Sequence, residues 1–152
     1  MKKIAIFMLG IFLLAAAAHA ADGDSPKAFK AMAMVKKAVN LYNKSGREGL
    51  IAAVNDTKGQ FVDGEYYVFI HSFEGYCLAR GDGNKKRIGA YVLEDRDTTG
   101  KLFVQEMIKT AEKQGAGWVT YWFKNPATGK TQFKHTYLEK IDGALVGCGY
   151  FD

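Results

Sequence analysis

The run Glu65-Tyr66-Tyr67-Val68-Phe69-Ile70-His71-Ser72 constrains the fold more than any other part of the chain. It is rich in aromatic and β-branched residues and lacks the polar alternation of a half-solvated strand. It reads as a central strand buried on both faces. Tyr67, Phe69 and His71 share one face, and Tyr66, Val68 and Ile70 share the other.

Before this strand the hydrophobic period is helical. Phe29, Met32, Val35, Val39 and Tyr42 follow spacings of 3, 3, 4 and 3, which sets them on one helix face from about Lys27 to Tyr42. Ser25 is a suitable cap and Pro26 suits the first turn. Asn43-Lys44-Ser45-Gly46 ends the helix, and Arg47 to Asn55 forms a second one with Leu50, Ile51 and Val54 on one side. After the central strand, Phe73-Glu74-Gly75 turns into Tyr76–Arg80, and Gly81–Lys86 is a loop. Leu102, Phe103, Met107, Ile108 and Ala111 recur at helical spacing between Gly100 and Gln114, and Gly115-Ala116-Gly117 closes that helix. Three further strands follow, Trp118–Phe123, Gln132–Ile141 and Ala144–Phe151, the last two joined by the hairpin signal Asp142-Gly143. Helices preceding a five-stranded, mostly antiparallel sheet imply a single α+β domain.

The first residues carry a different message. Lys2 and Lys3 precede an apolar run from Ile4 to Ala18, and Ala18-His19-Ala20 is a small-x-small cleavage site. This is the pattern of a secretory signal peptide over residues 1–20, with the domain occupying 21–152. The run is shorter than the ~20 residues needed to cross a bilayer. Loss of Lys2 and Lys3 takes the net charge from +5 to +3, too little to predict nucleic-acid binding. No second apolar span follows the domain, so the expectation is an exported module that does not itself signal across a membrane.

Motifs for catalysis are sparse. Asp95, Asp97, Gly100 and Glu106 fall at positions 1, 3, 6 and 12 of a calcium-loop template, but Phe103 stands at position 9 and no entering helix precedes it. An acidic turn leading into the following helix is the better reading. His71 and His135 lie on different strands with no nucleophile motif nearby, and no zinc spacing, phosphate loop or dinucleotide fingerprint occurs. Neither an enzyme nor a cofactor or metal protein is expected. Cys77 and Cys148 are the only cysteines, and in an exported chain two cysteines often pair. If the first strand lies between theirs, the gap is roughly 9.6 Å, beyond the ~7 Å that a disulfide spans. The thiols would then be free and buried. Arg80 and Lys134 sit within strands among apolar neighbours. Either they point outward and are solvated, or they point inward and need a counter-charge that a bound carboxylate could supply.

The segments Gly59–Phe69, Glu74–Gly81, Ile88-Gly89, Asp97 with Gly100–Phe103, Gly117–Pro126, Lys134–Tyr137 and Val146–Tyr150 resemble, in order and spacing, the single Cache domain of type 2. That family is an extracellular PAS-like sensing module of bacterial chemoreceptors and sensor kinases. The resemblance implies a long N-terminal helix on a five-stranded antiparallel sheet, with the first strand central. It also implies a pocket on the sheet's other face for a small organic anion such as acetate, propionate, lactate or pyruvate. By position, Tyr121, Lys134 and Tyr137 match the family's Tyr and Lys-x-x-Tyr signature, with Lys134 as charge partner of the carboxylate. Tyr67, Phe69, His71 and Trp118 would be pocket walls or hydrogen-bonders. Ser72 stands near where relatives often carry Asp, and Arg80 where many carry His, a change that favours a more strongly anionic ligand. The resemblance implies a periplasmic or secreted binding module that works through a separate membrane receptor or sensor kinase. The competing expectations are an interaction protein with a filled pocket, self-associating through the N-terminal helix, and a small-metabolite enzyme using Arg80, His71 and Tyr121.

Overall fold

The computed structural model describes residues 23–152, and the leader expected over residues 1–20 lies outside them. The chain opens with α1 (Pro26–Asn55), capped by Ser25, whose Oγ accepts from the Ala28 N–H at 3.1 Å. Gly46, at φ 71°, breaks the helical backbone and divides α1 into the two helical segments that the sequence suggests. The buried face differs from the expected one. Ala28, Ala31, Val35 and Ala38 are fully buried, whereas Phe29 is 59% exposed. Alanines carry little weight in a hydrophobic pattern, yet their small side chains let a helix axis approach a sheet closely, and that contact rotates Phe29 outward.

Six strands follow: β1 (Val62–Asp63), β2 (Tyr66–Ser72), β3 (Cys77–Arg80), β4 (Ala116–Lys124), β5 (Thr131–Ile141) and β6 (Ala144–Phe151), with α2 (Phe103–Gln114) between β3 and β4. All pairings are antiparallel, in the order β1-β2-β6-β5-β4, and β3 shares the outer edge of β2 with β1. Among the described residues, the two-residue β1 is the one strand beyond the five expected. Central placement of β2 separates β3 from β6, and Cys77 and Cys148 are both free and buried. They also face opposite ways, with Cys148 Sγ lying 3.8 Å from Met34 Sδ under α1 and Cys77 packed in the core on the α2 side.

Two cores flank the sheet. On the α1 side lie Tyr66, Val68, Ile70, Val146, Cys148 and Tyr150. On the other lie Tyr67, Phe69, Val119, Tyr121, Leu138 and Leu145, partly covered by Phe103, Val104, Met107, Ile108 and Ala111 of α2. Gly115, at φ 77°, ends α2 by donating its N–H to the Ala111 carbonyl. Among the described residues, no helix is long and apolar enough to cross a membrane.

The glycines of β6 make room on the α2 side. A Cβ at Gly147 would lie 2.5 Å from Phe69 Cζ, and one at Gly149 would lie 2.5 Å from the His135 carbonyl oxygen and 2.8 Å from Lys134 Cε. The alternation Val146, Cys148, Tyr150 against Gly147, Gly149 thus fills one face and empties the other for the large side chains of β2 and β5. Gly149→Ala is expected to cost about 3 kcal/mol, because the neighbour it strikes is backbone that cannot rotate away. A urea melt measures this; a loss below ~1 kcal/mol would mean the sheet relaxes around the methyl group.

Candidate functional site

Residues 81–102 run back across the α2-side face of the sheet before α2 begins. Their return strap is tied to β3 by Gly89 N–H to Cys77 O at 2.7 Å and Cys77 N–H to Ala90 O at 3.0 Å. Gln105 of α2 secures it again by donating to the Leu93 carbonyl. Beneath this strap a cavity of about 20 Å³ is lined by Tyr67, Phe69, His71, Arg80, Arg87, Asp95, Phe103, Tyr121 and Phe123. That is room for roughly one water molecule.

Strand alternation delivers most of the lining. Tyr67, Phe69 and His71 come from one face of β2, and Arg80 of β3 stands opposite Phe69. Tyr121 and Phe123 come from one face of β4, and Phe103 stacks flat on Tyr121 with ring centroids 4.4 Å apart. Tyr121 Oη is 3.2 Å from Thr136 Oγ1, which fixes the phenol from behind.

Charge is concentrated around these rings. Arg80 donates from Nε to Asp82 Oδ1 at 2.7 Å and from Nη2 to Oδ2 at 2.5 Å, and both side chains are 7% exposed. Burial disfavours the Arg80 cation, but the Asp82 bonds outweigh it and hold the guanidinium protonated. Arg87 pairs with Asp95 at the cavity's edge. Lys134 is fully buried: Nζ donates to Tyr67 Oη at 3.0 Å and sits 4.1 Å from the Tyr67 ring centroid and 5.0 Å from that of Phe151. Burial lowers its pKa, since aromatic faces and one hydroxyl replace less solvation than water gave. A nearby anion would reverse that shift.

His71 is pushed down to about 3, first by burial and then by the positive charges of Arg80, Arg87 and Lys134. It is neutral at physiological pH, and its buried Nδ1 has no hydrogen-bond partner among the described residues. An unfolded histidine titrates near 6.5, so between about 6.5 and 3 the unfolded chain binds the extra proton. Stability contributed at this position is therefore lost as pH falls through that window. At pH 5 the loss is about 2 kcal/mol, from 1.36 kcal/mol per pH unit. His71→Gln is expected to remove this component, so the stability gap between wild type and variant should change by that amount between pH 7 and 5. A gap independent of pH in urea melts would show that His71 is not buried neutral.

The structure gathers Tyr67, Phe69, His71, Arg80 and Tyr121 on the cavity, with Lys134 directly behind Tyr67. Trp118 and Tyr137 it places elsewhere. Both lie on the α1 side of the sheet, where the Trp118 ring packs against Tyr137 at 5.3 Å and Tyr150 at 6.1 Å. The reason is parity: Trp118 and Tyr121 are three residues apart on β4, as are Lys134 and Tyr137 on β5, and odd separations on a strand point to opposite faces. The same rule admits Phe123, which shares the Tyr121 face. Phe103, Arg87 and Asp95 carry no such signal, since two of them belong to the strap. The charge gained at Arg80 is balanced by Asp82 two residues on, which removes the ground for expecting a more strongly anionic ligand.

The calcium-loop residues are structurally occupied. Asp97 Oδ1 accepts from Thr99 N–H at 2.8 Å, Thr99 Oγ1 at 2.6 Å and Lys101 N–H at 3.0 Å, while Oδ2 accepts from Trp122 N–H at 3.1 Å. Burial opposes ionisation there, but these donors prevail and bring Asp97 down to about 2. The turn clips the strap to β4, and Phe103 belongs to the core.

Three comparisons bear on this geometry. A family model described as a Cache domain, dCache_2, matches residues 27–144. No curated protein matches the chain. Among solved structures, the fold is similar to a Cache chemosensory domain studied for carboxylic acid recognition (TM-score 0.71, 20% identity, 82% of this chain and 92% of that one). It is also similar to the periplasmic sensor domain of a chemotaxis protein (TM-score 0.64, 21% identity, 81% and 88%). A methyl-accepting chemotaxis protein from Vibrio parahaemolyticus gives a TM-score of 0.66 at 18% identity, over 82% and 84%. At these identities the likeness establishes the fold.

Proposed function

Because this chain belongs to the Cache domain family, whose members are extracellular or periplasmic sensor domains, we propose that it is a non-enzymatic sensor module for a small carboxylate. The observation that carries this reading is Lys134, an ammonium group with no surface exposure that is neighboured by a phenol hydroxyl and aromatic rings rather than by a carboxylate. A buried cation in that setting is costly for the fold, and a ligand carboxylate near it would recover the cost. The solved Cache domain studied for carboxylic acid recognition supports the same ligand class. The leader pattern of residues 1–20 supports export to the periplasm. Occupancy would be passed on through a separate membrane receptor or sensor kinase.

The cavity as it stands admits about one water, so binding even a two-carbon acid requires the strap and Phe103 to move outward, releasing the Arg87–Asp95 tie. The small cavity is also what favours a second reading, in which the filled interior is permanent and the domain is an interaction protein, self-associating through α1.

A thermal-shift screen of residues 21–152 against short mono- and dicarboxylates separates the two. A ligand at 100 times its dissociation constant adds about 2.7 kcal/mol, a rise of several degrees for a domain of this size. Absence of any rise across the panel would favour the interaction reading.

A further inference from the structure

The outer side of the strap carries a surface that the cavity does not use. Tyr76 and Tyr91 are 46% and 49% exposed and meet edge-on, with ring centroids 5.4 Å apart. Ile88 is exposed on the same stretch of strap, directly after Lys85, Lys86 and Arg87. Arg87 is tied to Asp95, whereas Lys85 and Lys86 are exposed and have no carboxylate partner among the described residues. The backbone is open here as well. Gly89 N–H and Ala90 C=O bond to Cys77, and Val92 N–H bonds to the Gly75 carbonyl. The N–H and C=O of Tyr91, between them, have no hydrogen-bond partner among the described residues. Alternate bonding of this kind turns the Tyr91 groups away from β3, as on the edge of a sheet.

Apolar anchors, two unpaired cations and an open strand edge are together what an extended acidic peptide segment matches. A lipid surface offers no backbone to pair with that edge. The exposed apolar area, on the order of 250 Å², is well below the roughly 800 Å² per partner of a stable dimer and suits a transient contact. The two rings are also held by different parts of the fold. Tyr76 is fastened to the end of β2: its carbonyl accepts from Ser72 N–H at 2.9 Å and its N–H donates to Ser72 Oγ at 3.2 Å. Tyr91 belongs to the strap, so an outward movement of the strap draws the pair apart.

We propose that Tyr76, Ile88, Tyr91, Lys85 and Lys86 form a docking surface for an extended acidic segment of a partner protein, which docks on the closed, empty domain and is released when the strap moves outward. The docking surface stands on exposure, charge and the open edge; its release on occupancy rests on the carboxylate reading above.

The probe is a synthetic peptide with one phenylalanine between two valines and glutamates at both ends. Its controls replace the glutamates by lysines, or the phenylalanine by serine. In fluorescence-anisotropy titrations of residues 21–152, the acidic peptide is expected to bind at least ~10-fold more tightly than either control. Tyr91→Ser, and Lys85→Gln combined with Lys86→Gln, should each weaken it by about that factor. Trp122→Ser, which removes an exposed ring from β4, should leave it unchanged. Acetate, propionate and lactate are then added at saturation. The acid that binds should weaken the peptide, and the peptide should weaken that acid by the same factor. Equal binding of the acidic and lysine peptides, no binding of the acidic peptide by about 1 mM, or no loss in Tyr91→Ser would overturn the docking surface. Self-association in sedimentation that Tyr91→Ser abolishes would assign the face to a second copy and overturn it. Pelleting with phosphatidylglycerol vesicles that the same variant abolishes would assign it to a membrane, with the same consequence. Peptide affinity unmoved by an acid that itself binds would overturn release on occupancy alone. Failure of all three acids to bind would overturn the carboxylate reading and release together, with the peptide ratios still deciding the docking surface.

Discussion

Lys134→Met is expected to weaken carboxylate binding at least ~100-fold while raising the stability of the domain by about 1–3 kcal/mol. The two effects have opposite signs for one reason. Lys134 has no surface exposure, and its ammonium is held by the Tyr67 hydroxyl and by the ring faces of Tyr67 and Phe151. Those contacts are weaker than full hydration, so the folded protein carries a net cost that a methionine of similar length would relieve. The bound carboxylate loses the very charge that compensates it, and removing one partner of a desolvated charge pair costs several kcal/mol of affinity. Urea melts and calorimetry on the same variant read both quantities. Lower stability with unchanged binding would make Lys134 a structural residue, and the site would have to be sought elsewhere.

Asp82→Asn is expected to destabilise the domain by about 3–5 kcal/mol, lowering the melting temperature by roughly 10–15 °C. Asp82 and Arg80 are each 7% exposed and joined by two charge-assisted hydrogen bonds. Asparagine preserves the shape but leaves the guanidinium buried without its counter-charge. The companion variant Asp82→Asn with Arg80→Met should recover most of the loss, since removing both charges also removes the desolvation cost. If Asp82→Asn alone proves neutral in a thermal melt, solvent reaches the pair and the cavity's charge balance must be recounted.

The central strand shows how far strand chemistry can be read before a structure is known. The run around Phe69 already implied a central, doubly covered strand, and its alternation correctly grouped Tyr67, Phe69 and His71. Central placement of that strand also kept Cys77 and Cys148 apart. Alternation, applied to every strand, would also have excluded Trp118 and Tyr137 once Tyr121 and Lys134 were assigned to the cavity. A positional signature does not carry parity with it, and so it implies all eight residues as pocket candidates without saying which face of each strand lines the pocket. The face of α1 was misjudged for a different reason, because alanine weighs little in a hydrophobic pattern although it decides how closely a helix can pack.

Local sequence therefore determined what depends on neighbours along the chain: the strands, the helix cap at Ser25, the break at Gly46 and the side-chain alternation of β2. Only the tertiary structure decided which charges remain unmatched. Asp82 neutralises Arg80 because a turn folds it back, Asp95 reaches Arg87 because the strap returns along β3, and Lys134 meets Tyr67 because β5 and β2 both border β6. Charge pairing is a property of distance in space, and 67 residues of chain separate Tyr67 from the cation it holds.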